Sequence, residues 1–369
     1  MTRATARPLW LSAPSRYAGR SRRHARWLLA ILAALLIVAL ASAVGGSSGA
    51  ADAGLKDQPS EVLAERVVED ICHGSDYYSA TARALRAADA PLHPFLTFRL
   101  PTLSIVQAQV SQSAAALLLY ALALVTLFAW WKRLADALSG IRARSLAVLF
   151  AAIGAAGALL GHLVVMHDLW AGLIVALSLA ARRPGRWGTA AALGLSAALI
   201  RETAAIYLAI MMGMALLERQ RREAIAWGAM LAIFAVALGL HAQAVAAVVG
   251  PLDQSPTGWA GAAGLGAAIQ AIVSASGLAL LPAIVGALVV ALSIAGWSAW
   301  RDPLATRAFA LIAVQLLLMS FLGGPETAHW AFLIAPVVPV GLAFFPDALR
   351  DLLRAALDRR RITVTRTAA

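Results

Sequence analysis

Ten apolar runs divide the chain: residues 27–46, 105–131, 145–166, 169–181, 187–200, 203–217, 224–249, 275–300, 308–323 and 330–345. A bilayer core about 30 Å thick is crossed by roughly 20 apolar residues in a helix. The pattern therefore predicts an all-α polytopic membrane protein with about ten transmembrane helices. Runs 169–181, 187–200 and 203–217 are too short to span alone. Fusing the last two would bury Arg201 and Glu202 at mid-span, so two short helices meeting at that pair are expected, with a cavity or thinned bilayer beside them.

The longest polar stretch is residues 47–104. Ser60, Glu61 and the apolar Leu63, Val67 and Ile71 predict a short amphipathic helix that Gly74-Ser75 ends. A second helix is predicted from Asp76, with Tyr78, Ala82 and Leu85 on one face. Asp76 and Arg83 share the opposite face. Pro91, Pro94 and Pro101 then force an extended passage that lays His93 and Arg99 near the start of the next run.

The chain thus divides into a basic cytoplasmic tail (1–26), a first anchor (27–46), an extracytoplasmic loop (47–104), a multi-helix transmembrane domain (105–345) and a basic cytoplasmic C-terminal tail (346–369). The first tail carries seven arginines, no acid, and Pro8 and Pro14, a composition that predicts disorder. Ala41-Ser42-Ala43 resembles a cleavage site and Arg22-Arg23 a twin-arginine signal, but the many runs that follow favour an uncleaved signal-anchor.

Composition agrees, with 61% hydrophobic and 14% charged residues and a mean hydropathy of +0.76. Charge supplies an orientation. With the N-terminus inside and the runs alternating, 25 of the 31 basic residues fall inside and 12 of the 19 acids outside. Both termini are therefore expected in the cytoplasm. The net charge of +12 is accounted for by this bias, so no nucleic-acid partner is expected. One cysteine, Cys72, excludes an internal disulfide. No phosphate loop of the GxxxxGK[ST] kind supports ATP-driven work, and no internal repeat supports an inverted-repeat transporter.

Arg201 and Glu202 are the first candidates for chemistry, because ionisable groups between spans face a water-filled cavity or each other. Arg201 either binds an anionic head group or makes a structural contact with Glu202. His167, Asp168, Glu326 and His329 occupy comparable outer positions around the same cavity mouth. Asp76 reads as a helix N-cap or as a reactive carboxylate, and Arg99 as a ligand contact or a side chain snorkelling to headgroups. Cys72, His73 and Asp76 have ligand chemistry but no second paired cluster, so no metal or other cofactor is assigned, a divalent metal being the open alternative.

One anchor, a large first outer loop with Asp76-Tyr77-Tyr78 on an amphipathic helix, the following Ala82-Arg83, the proline-ended Ala90-Pro91 and many spans with short connections resemble the GT-C superfamily of membrane glycosyltransferases. The stretch from His93 to Thr102 is similar to part of an uncharacterised bacterial subgroup. The resemblance implies a bacterial inner (plasma) membrane enzyme of the cell envelope. It implies transfer of a sugar, with inversion, from a polyprenyl-phosphate-linked donor to a glycan, lipid or protein acceptor outside the cytoplasm. Asp76 would be the base, or a metal ligand. Many members carry a second acid directly after the first; here Tyr77 stands in its place, against a metal role. From the position of the Arg201 junction below the polar helix, rather than from the resemblance, Arg201 is expected to be the main phosphate contact, with Arg99, Tyr78, His93, His167, Asp168 and Glu202 lining the pocket. Two readings compete: a transporter or flippase of a lipid-linked or anionic solute, and a non-catalytic membrane scaffold.

Overall fold

The computed structural model describes residues 8–45, 60–255, 261–322 and 329–358. Among them the chain is helical and holds no strand. Helix α1 is Arg22–Gly45. The polar stretch forms α2 (Ser60–Cys72) and α3 (Tyr77–Ala87), at the period read from Leu63, Val67 and Ile71, and a 3-10 turn at Phe95–Thr97. Residues 47–59, the start of that loop, lie outside the described residues, as does Glu326.

The apolar part contains α4 (Thr102–Ala108), α5 (Gln112–Leu134), α6 (Ile141–Gly154), α7 (His167–Ala181), α8 (Gly188–Ile200), α9 (Ala205–Leu217), α10 (Arg221–Ala246), α11 (Gly264–Ser274), α12 (Ala283–Trp297) and α13 (Pro303–Phe321). Helix α14, Phe345–Leu357, follows. Four of these, α1, α5, α10 and α13, are long and apolar enough to cross a membrane.

The other runs are broken or short for local reasons. Run 145–166 leaves the α-helix after Gly154 and continues as two 3-10 turns, Ala156–Leu159 and Gly161–Val165. Run 275–300 is interrupted at Pro282, which has no N–H to continue a helix. Run 330–345 contains Pro336 and Pro339 and becomes two 3-10 segments, Trp330–Leu333 and Val338–Phe344. This last segment is wedged into the centre. A Cβ on Gly172 of α7 would overlap the Phe332 carbonyl, and one on Gly296 of α12 would overlap the Gly341 carbonyl. Only glycine allows backbones to approach so closely.

Helices α8 and α9 are 13 residues each, about 20 Å at 1.5 Å per residue. They form a hairpin rather than one long helix. Gly194 of α8 faces Tyr207 and Leu208 of α9, and Ser178 of α7 hydrogen-bonds both the Ala190 carbonyl and the Tyr207 hydroxyl. The hairpin returns Glu218 to the end that holds Arg182 and Arg307. There Arg307 pairs with Glu218 at 2.6 and 2.9 Å, and Arg182 with Glu223 at 3.0 and 2.7 Å.

The expectation of a disordered N-terminal tail is corrected for residues 8–26. Leu11 and Ser15 are buried, and the backbone amides of Leu9, Trp10 and Leu11 all donate to the Asp347 carboxylate at 2.6–2.8 Å. Ser15 donates to Asp351 through its hydroxyl at 2.8 Å, and Arg301 donates to the Ser15 carbonyl at 2.9 Å. Two buried acids one turn apart on α14 thus supply the partners that composition alone hides. Residues 346–357 are correspondingly not a loose tail. Leu352 and Ala356 of α14 pack on Ala25, Leu28 and Tyr17.

Candidate functional site

The break between α8 and α9 builds the site. Arg201 has extended backbone angles (φ −137°, ψ 114°), and Glu202 opens a 3-10 turn, Glu202–Ala204. This kink sends the Arg201 side chain onto the first turn of α7. Its Nε donates to Asp168 Oδ1 at 2.6 Å, and its Nη1 donates to Glu202 Oε1. Arg99, at the end of the polar segment, donates through Nη1 to the same Glu202 oxygen at 3.4 Å. Among the described residues, two guanidinium groups therefore alternate with two carboxylates.

Burial grades this cluster from inside to outside. The Arg201 and Asp168 side chains are 2% and 3% exposed, Glu202 10% and Arg99 26%. Charges as deep as the first two are held only because each has its partner. Removing one leaves the other uncompensated, at a cost of about 3–5 kcal/mol. Arg99 and Glu202 form the accessible edge. Three buried polar atoms nearby in sequence or space have no hydrogen-bond partner among the described residues: Glu202 Oε2, Thr203 Oγ1 and His329 Nδ1. His329 lies in the neighbourhood of Asp168. Buried orphans of this kind are uncommon in folded proteins.

The sequence-predicted residues separate into three groups. Arg201, Glu202, Asp168 and Arg99 meet directly. His167 is buried beside them, its Nε2 3.4 Å from Ser104 Oγ. Tyr78 is tied in through a partner that sequence reasoning missed. Its hydroxyl lies 3.2 Å from Nδ1 of His241, whose Nε2 lies 3.2 Å from the Phe98 carbonyl. The carbonyl accepts only, so Nε2 carries the proton and Nδ1 accepts from the Tyr78 hydroxyl. A lone histidine in the apolar run 224–249 was the available signal.

Asp76 and His93 stand apart from the ion cluster. Asp76 is exposed and caps α3, its Oδ2 accepting from the Ser79 amide at 3.1 Å. Its charge nevertheless reaches Tyr78, whose hydroxyl is pushed up first by burial and then by Asp76. Neighbouring Tyr77 donates to the Arg99 carbonyl at 2.6 Å, so α3 is fastened to the backbone that carries Arg99. Burial pushes the Tyr77 hydroxyl well above the ordinary range. The His93 amide instead donates to the Gln254 carbonyl at 3.4 Å, on the connection after α10. In that connection Arg86 grips Asp253 at 2.8 and 2.6 Å, and these bonds, with the Gly250 amide, hold the Asp253 carboxyl far below its usual range.

Cys72 and His73 do not join Asp76. Cys72 Sγ is 3.4 Å from the Ala108 carbonyl, and His73 Nδ1 is 2.9 Å from the Glu69 carbonyl. Among the described residues, no three His, Cys, Asp or Glu side chains converge as metal ligands do. No protein-family model matches the chain, and no curated protein or solved structure does so either.

Proposed function

We propose that this chain is a polytopic membrane glycosyltransferase of the GT-C kind, about ten segments deep, with the Arg201 end outside the cytoplasm. Its substrate is a sugar carried on a polyprenyl phosphate. The observation that carries this reading is the edge of the ion cluster: an accessible arginine, Arg99, beside a buried carboxylate oxygen, Glu202 Oε2, that no described donor satisfies. A cation next to an unused acceptor is the complement of a phosphate next to a hydroxyl, which is the chemistry of a glycosyl phosphate. Thr203 Oγ1 and His329 Nδ1 add two further unpartnered groups suited to a polyhydroxylated ligand. The basic excess at the opposite end supports the orientation.

In this reading Arg99 contacts the phosphate and Arg201 is a positioning residue, since Asp168 and Glu202 enclose it. Asp76 takes the proton of the acceptor hydroxyl as the oxygen attacks the anomeric carbon. One C–O bond forms on the face opposite the breaking one, and the electron pair leaves with the lipid phosphate, whose charge Arg99 offsets. Tyr78 is oriented by His241 and is within electrostatic reach of Asp76. Glu202 and His167 contact the sugar, and His93 borders the connection after α10. A transferase acting outside the cytoplasm needs a lipid-carried sugar, which is the donor proposed.

The enclosure of Arg201 by two carboxylates equally suits a purely structural clamp, which is the scaffold reading. A transfer assay separates them, using purified protein in nanodiscs and a panel of polyprenyl-phosphate sugars. Asp76→Asn keeps the cap but removes the base, so transfer should fall about 10²–10⁴-fold with folding intact. Wild-type activity in Asp76→Asn would discard the assigned base. Absence of transfer by the wild type from every donor would leave the scaffold.

A further inference from the structure

The other end of the molecule carries a second cationic feature that the proposed reaction does not use. Arg22, Arg23, Arg26 and Trp27, in the first two turns of α1, line an open recess of about 530 Å³. All four are exposed, Trp27 to 62%. Arg22 and Arg26 are one turn apart, as are Arg23 and Trp27, so the recess spans two adjoining stripes of one helix. One flank is α14, since Arg22 Nε donates to the Ala356 carbonyl at 3.2 Å.

Two acids of that flank, Asp347 and Asp351, are buried and occupied. Asp347 receives the amides of Leu9, Trp10 and Leu11, and Asp351 receives Ser15 and Arg350. What α14 leaves exposed is Leu353 at 43%, Leu357 at 70%, and Arg354. Arg22, Arg23 and Arg26 therefore have no carboxylate partner among the described residues. Three arginines lie together where an apolar helix of 24 residues begins, beside an exposed tryptophan. If α1 crosses the bilayer, that level is the headgroup layer, where arginine meets lipid phosphate and tryptophan sits at the apolar boundary.

We propose that this recess binds the phosphate of an anionic phospholipid. The arginines grip the phosphate oxygens, while Trp27 rests on the acyl chains beneath. The inference rests on α1 spanning a membrane and is independent of the glycosyl-transfer reading. Charge complementarity selects anionic lipid over zwitterionic lipid, and the apolar flank selects a lipid over a soluble phosphate.

The test is native mass spectrometry of the full chain with phosphatidylglycerol or phosphatidylcholine, with inorganic phosphate as competitor. Phosphatidylglycerol should be retained in preference to phosphatidylcholine. The triple variant Arg22→Gln, Arg23→Gln, Arg26→Gln should bind it about a hundredfold more weakly. The corresponding lysine variant should restore most of the affinity. A second triple variant, Arg219→Gln, Arg221→Gln, Arg222→Gln, removes three other exposed arginines and should leave it unchanged. Equal loss in both glutamine variants would mean general surface charge and would overturn the proposal. So would unchanged affinity in the first, or displacement of the lipid by millimolar phosphate. All three variants should melt with the wild type in phosphatidylcholine, so that loss of lipid is not loss of fold.

Discussion

Replacing Arg201 by methionine is the sharpest test of the ion cluster. The side chain is 2% exposed and donates to both Asp168 and Glu202. Methionine keeps much of the volume and removes the charge. Glu202 retains Arg99 at 3.4 Å, but Asp168, 3% exposed, loses its 2.6 Å guanidinium. A buried carboxylate so abandoned costs about 3–5 kcal/mol, a large part of the 5–15 kcal/mol by which folded domains are usually stable. Adding Asp168→Leu to Arg201→Met removes both charges and should recover part of the loss. The two substitutions then fail to add by about 2 kcal/mol or more. Thermal unfolding of the purified protein in one detergent, followed by intrinsic tryptophan fluorescence, reads all four corners of the cycle. Additivity within about 0.5 kcal/mol would refute the argument, because it would mean that Arg201 and Asp168 are not coupled in a dry site.

Two further outcomes follow from contacts outside the spans. Asp347→Ala leaves three backbone amides without their acceptor, so the segment around Leu9–Ser15 should detach, and limited trypsin should cut at Arg16 or Arg20 faster than in the wild type. Asp253 has a folded pKa below its unfolded value, so its clasp with Arg86 stabilises above the unfolded pKa of about 3.9 and is lost only as pH falls through the lower folded value. The protection factors of the amides in residues 248–254, corrected for the intrinsic pH dependence of exchange, should therefore be alike at pH 7 and pH 5, whereas Arg86→Gln should lower them at both.

Much of the local architecture was legible in the order of residues. The period of Leu63, Val67 and Ile71 delivered α2, and Gly74-Ser75 delivered the break before α3. The shortness of runs 187–200 and 203–217, with charges between them, foretold the hairpin whose junction is Arg201 and Glu202. These follow from hydrogen bonding within one turn and from the cost of ions among apolar residues, both of which depend on neighbours in sequence. The four helices long and apolar enough to cross a membrane are legible for the same reason, because apolar length is a local quantity.

Tertiary structure decided which charges meet and how openly. Arg201 pairs with Asp168 across 33 positions and Tyr78 with His241 across 163, and no periodicity carries such information. The segment from Leu9 to Ser15 reads as a disordered basic tail until Asp347 and Asp351, some 336 positions away, offer its amides a buried acceptor. Run 330–345 has the composition of a span, yet Pro336 and Pro339 deny it continuous helix, and Gly172 and Gly296 let its carbonyls come against α7 and α12. Composition determined that these residues would leave water. Which polar atoms they would shelter depended on packing, because a buried ion or amide is tolerated only where the folded chain brings its partner within hydrogen-bond reach.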